Sequence, residues 1–84
     1  MRADDDTMTR AERNRLHMER VRAVHRRSAH ARVLSRIEYY ETLAREAGAG
    51  LRPALSDDAR AHHKRLLALR DELAAEMLSA GQEL

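Results

Sequence analysis

The sequence predicts an all-α protein, an antiparallel helical hairpin with a long first helix. No proline or glycine occurs between Thr9 and Ala47. Apolar or small residues recur every three or four positions in two segments, which is the spacing of a helix face. A single break rich in glycine and proline separates the segments, and so short a connection implies antiparallel packing. We therefore predict one domain, residues 9–84, preceded by a flexible acidic segment at residues 1–8.

The first helix is predicted over residues 9–47. Thr9 and Glu12 fit a capping box, in which each side chain bonds to the backbone N–H of the other residue. The apolar stripe is dense between Val33 and Ala47 and thin between Arg10 and Ser28. The second half should therefore pack tightly, and the first half should pack weakly or against a partner.

The linker is predicted at residues 48–55 and the second helix at about residues 56–80. Gly48 and Gly50 can end the first helix, because glycine adopts the left-handed conformation without steric cost. Pro53 prevents the helix from continuing. Ser56 is a favourable N-cap, and Gly81 is expected to end the second helix.

The predicted register places Ile37 opposite Leu66 and Arg26 opposite Met77. In this register, carboxylates of the second helix, such as Glu76, lie beside arginines of the first and are expected to pair with them. The second helix also carries a spare apolar row that we predict to be a homodimer interface, because two helices bury little surface alone. This row, which would close a four-helix bundle, consists of Leu67, Ala74 and Leu78.

Positive charge is concentrated in the first helix. Nine arginines and two glutamates lie between Arg10 and Arg36, a local net charge of +7, whereas residues 37–84 contain six basic and nine acidic side chains. Lys64 is the sole lysine, a bias associated with GC-rich bacterial or phage genomes. Such an arginine run can bind phosphates, or it can be a solvated face that the acidic second helix partly neutralises.

Function is predicted as that of a small non-enzymatic regulator or adaptor, which binds a protein partner through the first helix. The alternative is a nucleic-acid-binding protein whose arginines contact phosphates. Tyrosine and arginine are enriched where proteins bind each other. The residues predicted to bind the partner are Arg13, Leu16, Met18, Arg20, Val21, Arg27 and Tyr39.

Several other classes are not supported by the sequence. There is no cysteine, phosphate-binding loop or nucleophile paired with a base, so neither an enzyme nor a cofactor is predicted. The five histidines lack the spacing of a metal site, and His62 is instead expected to pack near Tyr40. No secretory signal is recognisable, and no apolar run approaches the roughly 20 residues that span a bilayer, so a cytoplasmic protein is predicted.

Overall fold

The computed structural model describes residues 8–84 and contains two helices that pack against each other. Helix α1 spans Arg10–Gly48 and helix α2 spans Asp57–Ser79, with no strand in the described range. The hairpin is elongated, with principal extents of 65 × 21 × 16 Å. The predicted all-α helical hairpin is confirmed. Of the predicted flexible segment, residues 1–7 lie outside the described residues.

Helix α1 begins at the predicted capping box. The backbone N–H of Glu12 donates to the Thr9 hydroxyl at 3.1 Å, and the Thr9 N–H donates to the Glu12 carboxylate at 3.3 Å. These two bonds satisfy donors that a helix start leaves without intrahelical partners. The first turn of α1 is therefore fixed by local chemistry and requires no packing partner.

Helix α1 ends one residue later than predicted, at Gly48. Gly48 is still helical, Ala49 is the C-cap, and Gly50 adopts the left-handed conformation with φ of 77°. The N–H of Leu51 donates to the carbonyl of Glu46 at 2.8 Å, and that of Gly50 donates to the carbonyl of Ala47 at 3.1 Å. This pair of bonds is a Schellman motif.

Helix α2 has the same kinds of cap at its two ends. The Ser56 hydroxyl accepts from the N–H of Ala59 at 3.1 Å, as predicted for an N-cap. At the other end, Gly81 has φ of 77°, and the Gln82 N–H donates to the carbonyl of Met77 at 2.8 Å. Neither helix contains an apolar stretch that could span a lipid bilayer.

The hydrophobic core is small. Among the described residues, the buried apolar side chains are Val33 and Ile37 of α1 and Leu66 and Met77 of α2. Ile37 clusters with Leu66, which confirms the predicted register. Partly buried side chains surround this cluster: Tyr40, Leu67 and Leu73. Because burial of an aliphatic side chain contributes about 1.5–3 kcal/mol, four such side chains hold the hairpin only weakly.

The predicted charge pairing between the helices is not formed. Ion pairs within residues 8–84 join Arg52 to Glu46 at 2.9 Å, Arg70 to Asp71 at 3.1 Å, and Arg60 to Asp57, and none of these pairs connects the two helices. Arg26 was expected beside Glu76 but bonds to Gln82 instead. The prediction was wrong because adjacency in register does not bring exposed side chains together, and solvated pairs of this kind gain little.

Candidate partner-binding surfaces

The N-terminal part of α1 extends beyond α2. The last residues of the chain, Gln82–Leu84, lie beside the middle of α1, where Gln82 donates from Nε2 to the carbonyl of Ala23 at 3.0 Å. Every residue from Arg10 to Arg15 is exposed. This segment therefore presents most of its circumference to solvent, as predicted from its thin apolar stripe.

One side of this segment combines arginines with apolar residues. Arg13, Arg20 and Arg27 are seven residues apart, and Leu16 and Val24 fall between them at spacings of three or four, so all five share one side of the helix. Arg20 and Val24 line two shallow depressions there. We call this side the basic face.

Exposure is uneven along the basic face. Val24 is 62% exposed, whereas Leu16 is half-buried and the three arginines are exposed. Val24 was not among the predicted site residues, because the sequence pattern placed it off the main apolar stripe. The signal that could have found it is its spacing of four from Arg20 and three from Arg27.

Met18 lies away from the basic face, and Val21 lies at its edge. Met18 is two residues from Leu16, about 200° around the helix, whereas Val21 lines one of the two depressions together with Arg20 and Val24. Met18 is 46% exposed, and Val21 is half-buried. A partner on the basic face can therefore contact Leu16 and Val21 beside the arginines, whereas Met18 lies on the opposite side of α1.

Tyr39 belongs to a different surface, nearer the hairpin's centre. Its ring is 57% exposed and packs edge-on against Tyr40, with centroids 5.5 Å apart. It borders an open groove between the two helices, of about 1040 Å³, which we call the Tyr39 groove. Apolar side chains, two arginines and one serine line the groove beside Tyr39: Ala29, Ala31, Arg32, Val33, Ser35, Arg36, Leu69 and Leu73.

The row predicted as a dimer interface lies away from the Tyr39 groove. Leu67 is two residues from Leu69, or about 200° around the helix. Leu67 packs on the hairpin's own core and is half-buried, as is Ala74, while Leu78 is 59% exposed. Only part of the predicted row is thus open to a partner.

Two of the five histidines, His62 and His63, pack against the ring of Tyr40. His62 meets the Tyr40 ring edge-on with centroids 5.5 Å apart, which confirms the predicted contact, and His63 stacks on it at 5.9 Å. Within residues 8–84, no group of three or more histidines and carboxylates is arranged to hold a metal ion. These histidines therefore contribute ring packing between the helices.

Comparison of the chain with protein-family models, with curated proteins and with solved structures gives no match. Three surfaces of the hairpin are therefore the candidates for binding a partner. These are the basic face, the Tyr39 groove and the exposed part of the Leu67–Leu78 row.

Proposed function

We propose that this protein is a small non-enzymatic regulator or adaptor that binds a protein partner through the basic face of α1. The observation that carries the proposal is the 62% exposure of Val24 between Arg20 and Arg27. A partner that covers Val24 removes apolar surface from water, worth about 25 cal/mol for each Å². Arginines beside a covered apolar side chain are typical of the residues that dominate protein interfaces.

The test compares capture of host proteins by the wild-type chain with capture by a variant of the basic face. Leu16→Ser and Val24→Ser together remove the apolar surface and leave the arginines intact. Leu51→Ser is the matched control, because Leu51 is 77% exposed in the linker, away from this face. We expect the double variant to lose proteins that the control retains, with both variants still helical by circular dichroism. Equal capture by all three chains would contradict the proposal.

The alternative function is nucleic-acid binding through the same arginines. Arg20 and Arg27 form no ion pair with any residue that the structure describes, so both guanidinium groups are accessible to phosphates. A phosphate backbone offers Val24 no apolar surface, which is why we rank this function second. Its measurement is the fluorescence anisotropy of a labelled random-sequence duplex between about 50 and 300 mM salt, where phosphate contacts give a steep salt dependence.

Arginine variants separate the two functions. For a protein that binds duplex, Arg13→Ala, Arg20→Ala and Arg27→Ala should each flatten the logarithmic salt slope by about 0.9 per lost phosphate contact. Absence of binding at the lowest salt, combined with loss of capture by the Leu16 and Val24 variant, would leave the protein-binding function as the better one.

Self-association is the second part of the proposal. The predicted homodimer would close a four-helix bundle and cover surface that the small core leaves exposed. The sequence assigns this contact to Leu67, Ala74 and Leu78. The distribution of exposed apolar side chains in the hairpin supports a different face, the Tyr39 groove.

A further inference from the structure

The hairpin exposes far more surface than a compact chain of its mass. It exposes 6774 Å², whereas a compact folded monomer of 9.6 kDa is expected to expose about 5,100 Å². Part of this excess follows from the elongated shape, with principal extents of 65 × 21 × 16 Å, and from the exposed start of α1. At the Tyr39 groove, Leu69 and Tyr39 remain 40% and 57% exposed, and a second copy could cover both.

The α1 margin of the Tyr39 groove carries arginines, and the α2 margin carries two glutamates beyond Leu69 and Arg65 before it. Arg32 and Arg36 line it on α1. On α2, Glu72 follows Leu69 by three residues and Glu76 follows Leu73 by three, so both glutamates lie beside the two leucines that line the groove. The two arginines of α1 and the two glutamates are all exposed, and none forms an ion pair within residues 8–84. These two arginines and two glutamates therefore have no counter-charge within the hairpin.

We infer that a second copy of this chain docks on the Tyr39 groove, about a twofold axis parallel to the helices. This inference locates the self-association proposed above. The axis places α1 of one copy against α2 of the other, in antiparallel contact. Arg32 then lies at the level of the partner subunit's Glu72, because Ile37 lies at the level of Leu66 within each hairpin. By symmetry, both copies make the same contact, as an isologous interface requires.

The contact between Arg32 and Glu72 also favours this axis over the other arrangement. A twofold axis perpendicular to the helices would place α1 against α1, with Arg32 and Arg36 of one copy facing the same arginines of the other. Like charges in that position repel. The parallel axis instead covers Leu69, 40% exposed, and Tyr39, 57% exposed, with apolar surface of the second copy.

Tyr39 gains a specific neighbour in this arrangement. Tyr40 stacks on His63 within one hairpin, so Tyr39 lies at the level of residues 64 and 65. Arg65 is four residues before Leu69 and shares its side of α2. The proposed axis therefore places the partner subunit's Arg65 at the level of the exposed Tyr39 ring, and a guanidinium is attracted to the face of such a ring.

The first experiment measures the mass of the chain by light scattering and sedimentation. We expect about twice the 9.6 kDa of one chain for the wild type. Leu69→Glu should give the monomer mass, and Leu78→Glu should remain a dimer. A monomeric wild type would overturn self-association altogether. A dimer that dissociates in Leu78→Glu but not in Leu69→Glu would assign the contact to the predicted row and overturn the groove alone.

The second experiment exchanges charges on exposed positions, which avoids disturbing the fold. Arg32→Glu and Glu72→Arg, each alone, place like charges at both symmetric contacts, so the dimer dissociation constant should rise roughly tenfold or more. An equimolar mixture of the two variants restores both pairs in the heterodimer and should recover the wild-type constant. If the mixture associates no better than either variant alone, Arg32 and Glu72 do not meet and the proposed axis is wrong.

Neither experiment involves a partner protein or nucleic acid. Their failure therefore leaves the proposed binding through the basic face untouched. Conversely, loss of capture by the Leu16 and Val24 variant has no bearing on the mass of the chain.

Discussion

Arg26 donates a hydrogen bond from its Nε to the Oε1 of Gln82, 2.7 Å away and 56 residues later in the chain. The other end of the same amide donates to the carbonyl oxygen of Ala23 at 3.0 Å. Gln82 thus uses both halves of its side chain to attach the end of α2 to the middle of α1. Both bonds are partly buried, which raises their contribution above that of a solvated contact.

Replacement of Gln82 by alanine should loosen this attachment. The change removes two hydrogen bonds and leaves the half-buried Arg26 guanidinium without its acceptor. We expect the free energy of unfolding to fall by about 1–2 kcal/mol, measured by urea denaturation at constant chain concentration. Glu83→Ala is the matched control, because Glu83 is an exposed neighbour and should change stability by less than about 0.5 kcal/mol. Equal stability of the two variants would contradict the attachment.

Local features of the hairpin were predictable from the sequence, and the Gln82 contact was not. The Thr9 capping box and the Ser56 N-cap depend on residues three positions apart, so the sequence displays them directly. The Ile37–Leu66 register follows from a short linker and matched apolar stripes. The contact of Gln82 depends on the turn at Gly81 and on which residues of α1 lie beside that turn. A single polar residue after a helix carries no sequence signal for such a contact.

The binding surfaces divide in the same way. The basic face follows from the heptad spacing of Arg13, Arg20 and Arg27, although Val24 was missed. The Tyr39 groove requires two helices at a defined separation, so residues of α1 and α2 that share it cannot be grouped from either stripe alone. The ion pairs between the helices were predicted from the register alone. They are not formed, because two exposed side chains at the same level of the hairpin are not held within bonding distance of each other.

The central layer of the core should tolerate no loss of volume. Ile37 is 4% exposed and clusters with two other buried side chains. Ile37→Ala should cost about 2–5 kcal/mol through lost burial and the cavity left behind. In so small a core we expect loss of most helical signal near room temperature. Leu51→Ala, at a site 77% exposed, should leave the free energy of unfolding within about 0.5 kcal/mol of the wild-type value.

Gly48 and Gly50 should respond in opposite directions to alanine. Gly48 is helical, and a methyl group added there would meet no atom within 4 Å apart from its chain neighbours and the adjacent helix backbone, so Gly48→Ala should stabilise the hairpin by about 0.5–1 kcal/mol. Gly50 has equal space but φ of 77°, so Gly50→Ala should cost about 1–2 kcal/mol through backbone strain alone. Thermal unfolding of the two variants side by side checks the sign of each change. Stabilisation by both would mean that α1 does not end in a Schellman motif.

His63 combines a useful ring contact with an unsatisfied nitrogen. Its ring stacks on Tyr40 with an interplanar angle of 18°, and its Nε2 is buried with no hydrogen-bond partner among the described residues. His63→Phe keeps a stacked ring and removes the polar atom. Because a buried polar group without a partner costs about 1–3 kcal/mol, we expect the variant to be more stable by about 1 kcal/mol.

The control for His63 is its neighbour. His62 meets the same Tyr40 ring edge-on, and its nitrogens are not among the buried atoms without a partner. His62→Phe should therefore leave stability nearly unchanged, whereas His63→Phe should raise the melting temperature by about 4–8 °C. Both variants must be compared at the same chain concentration, since self-association would make the melting temperature depend on it. If His63→Phe melts at or below the wild-type temperature, the nitrogen finds a partner in solution, and His63 stabilises the hairpin by more than ring packing.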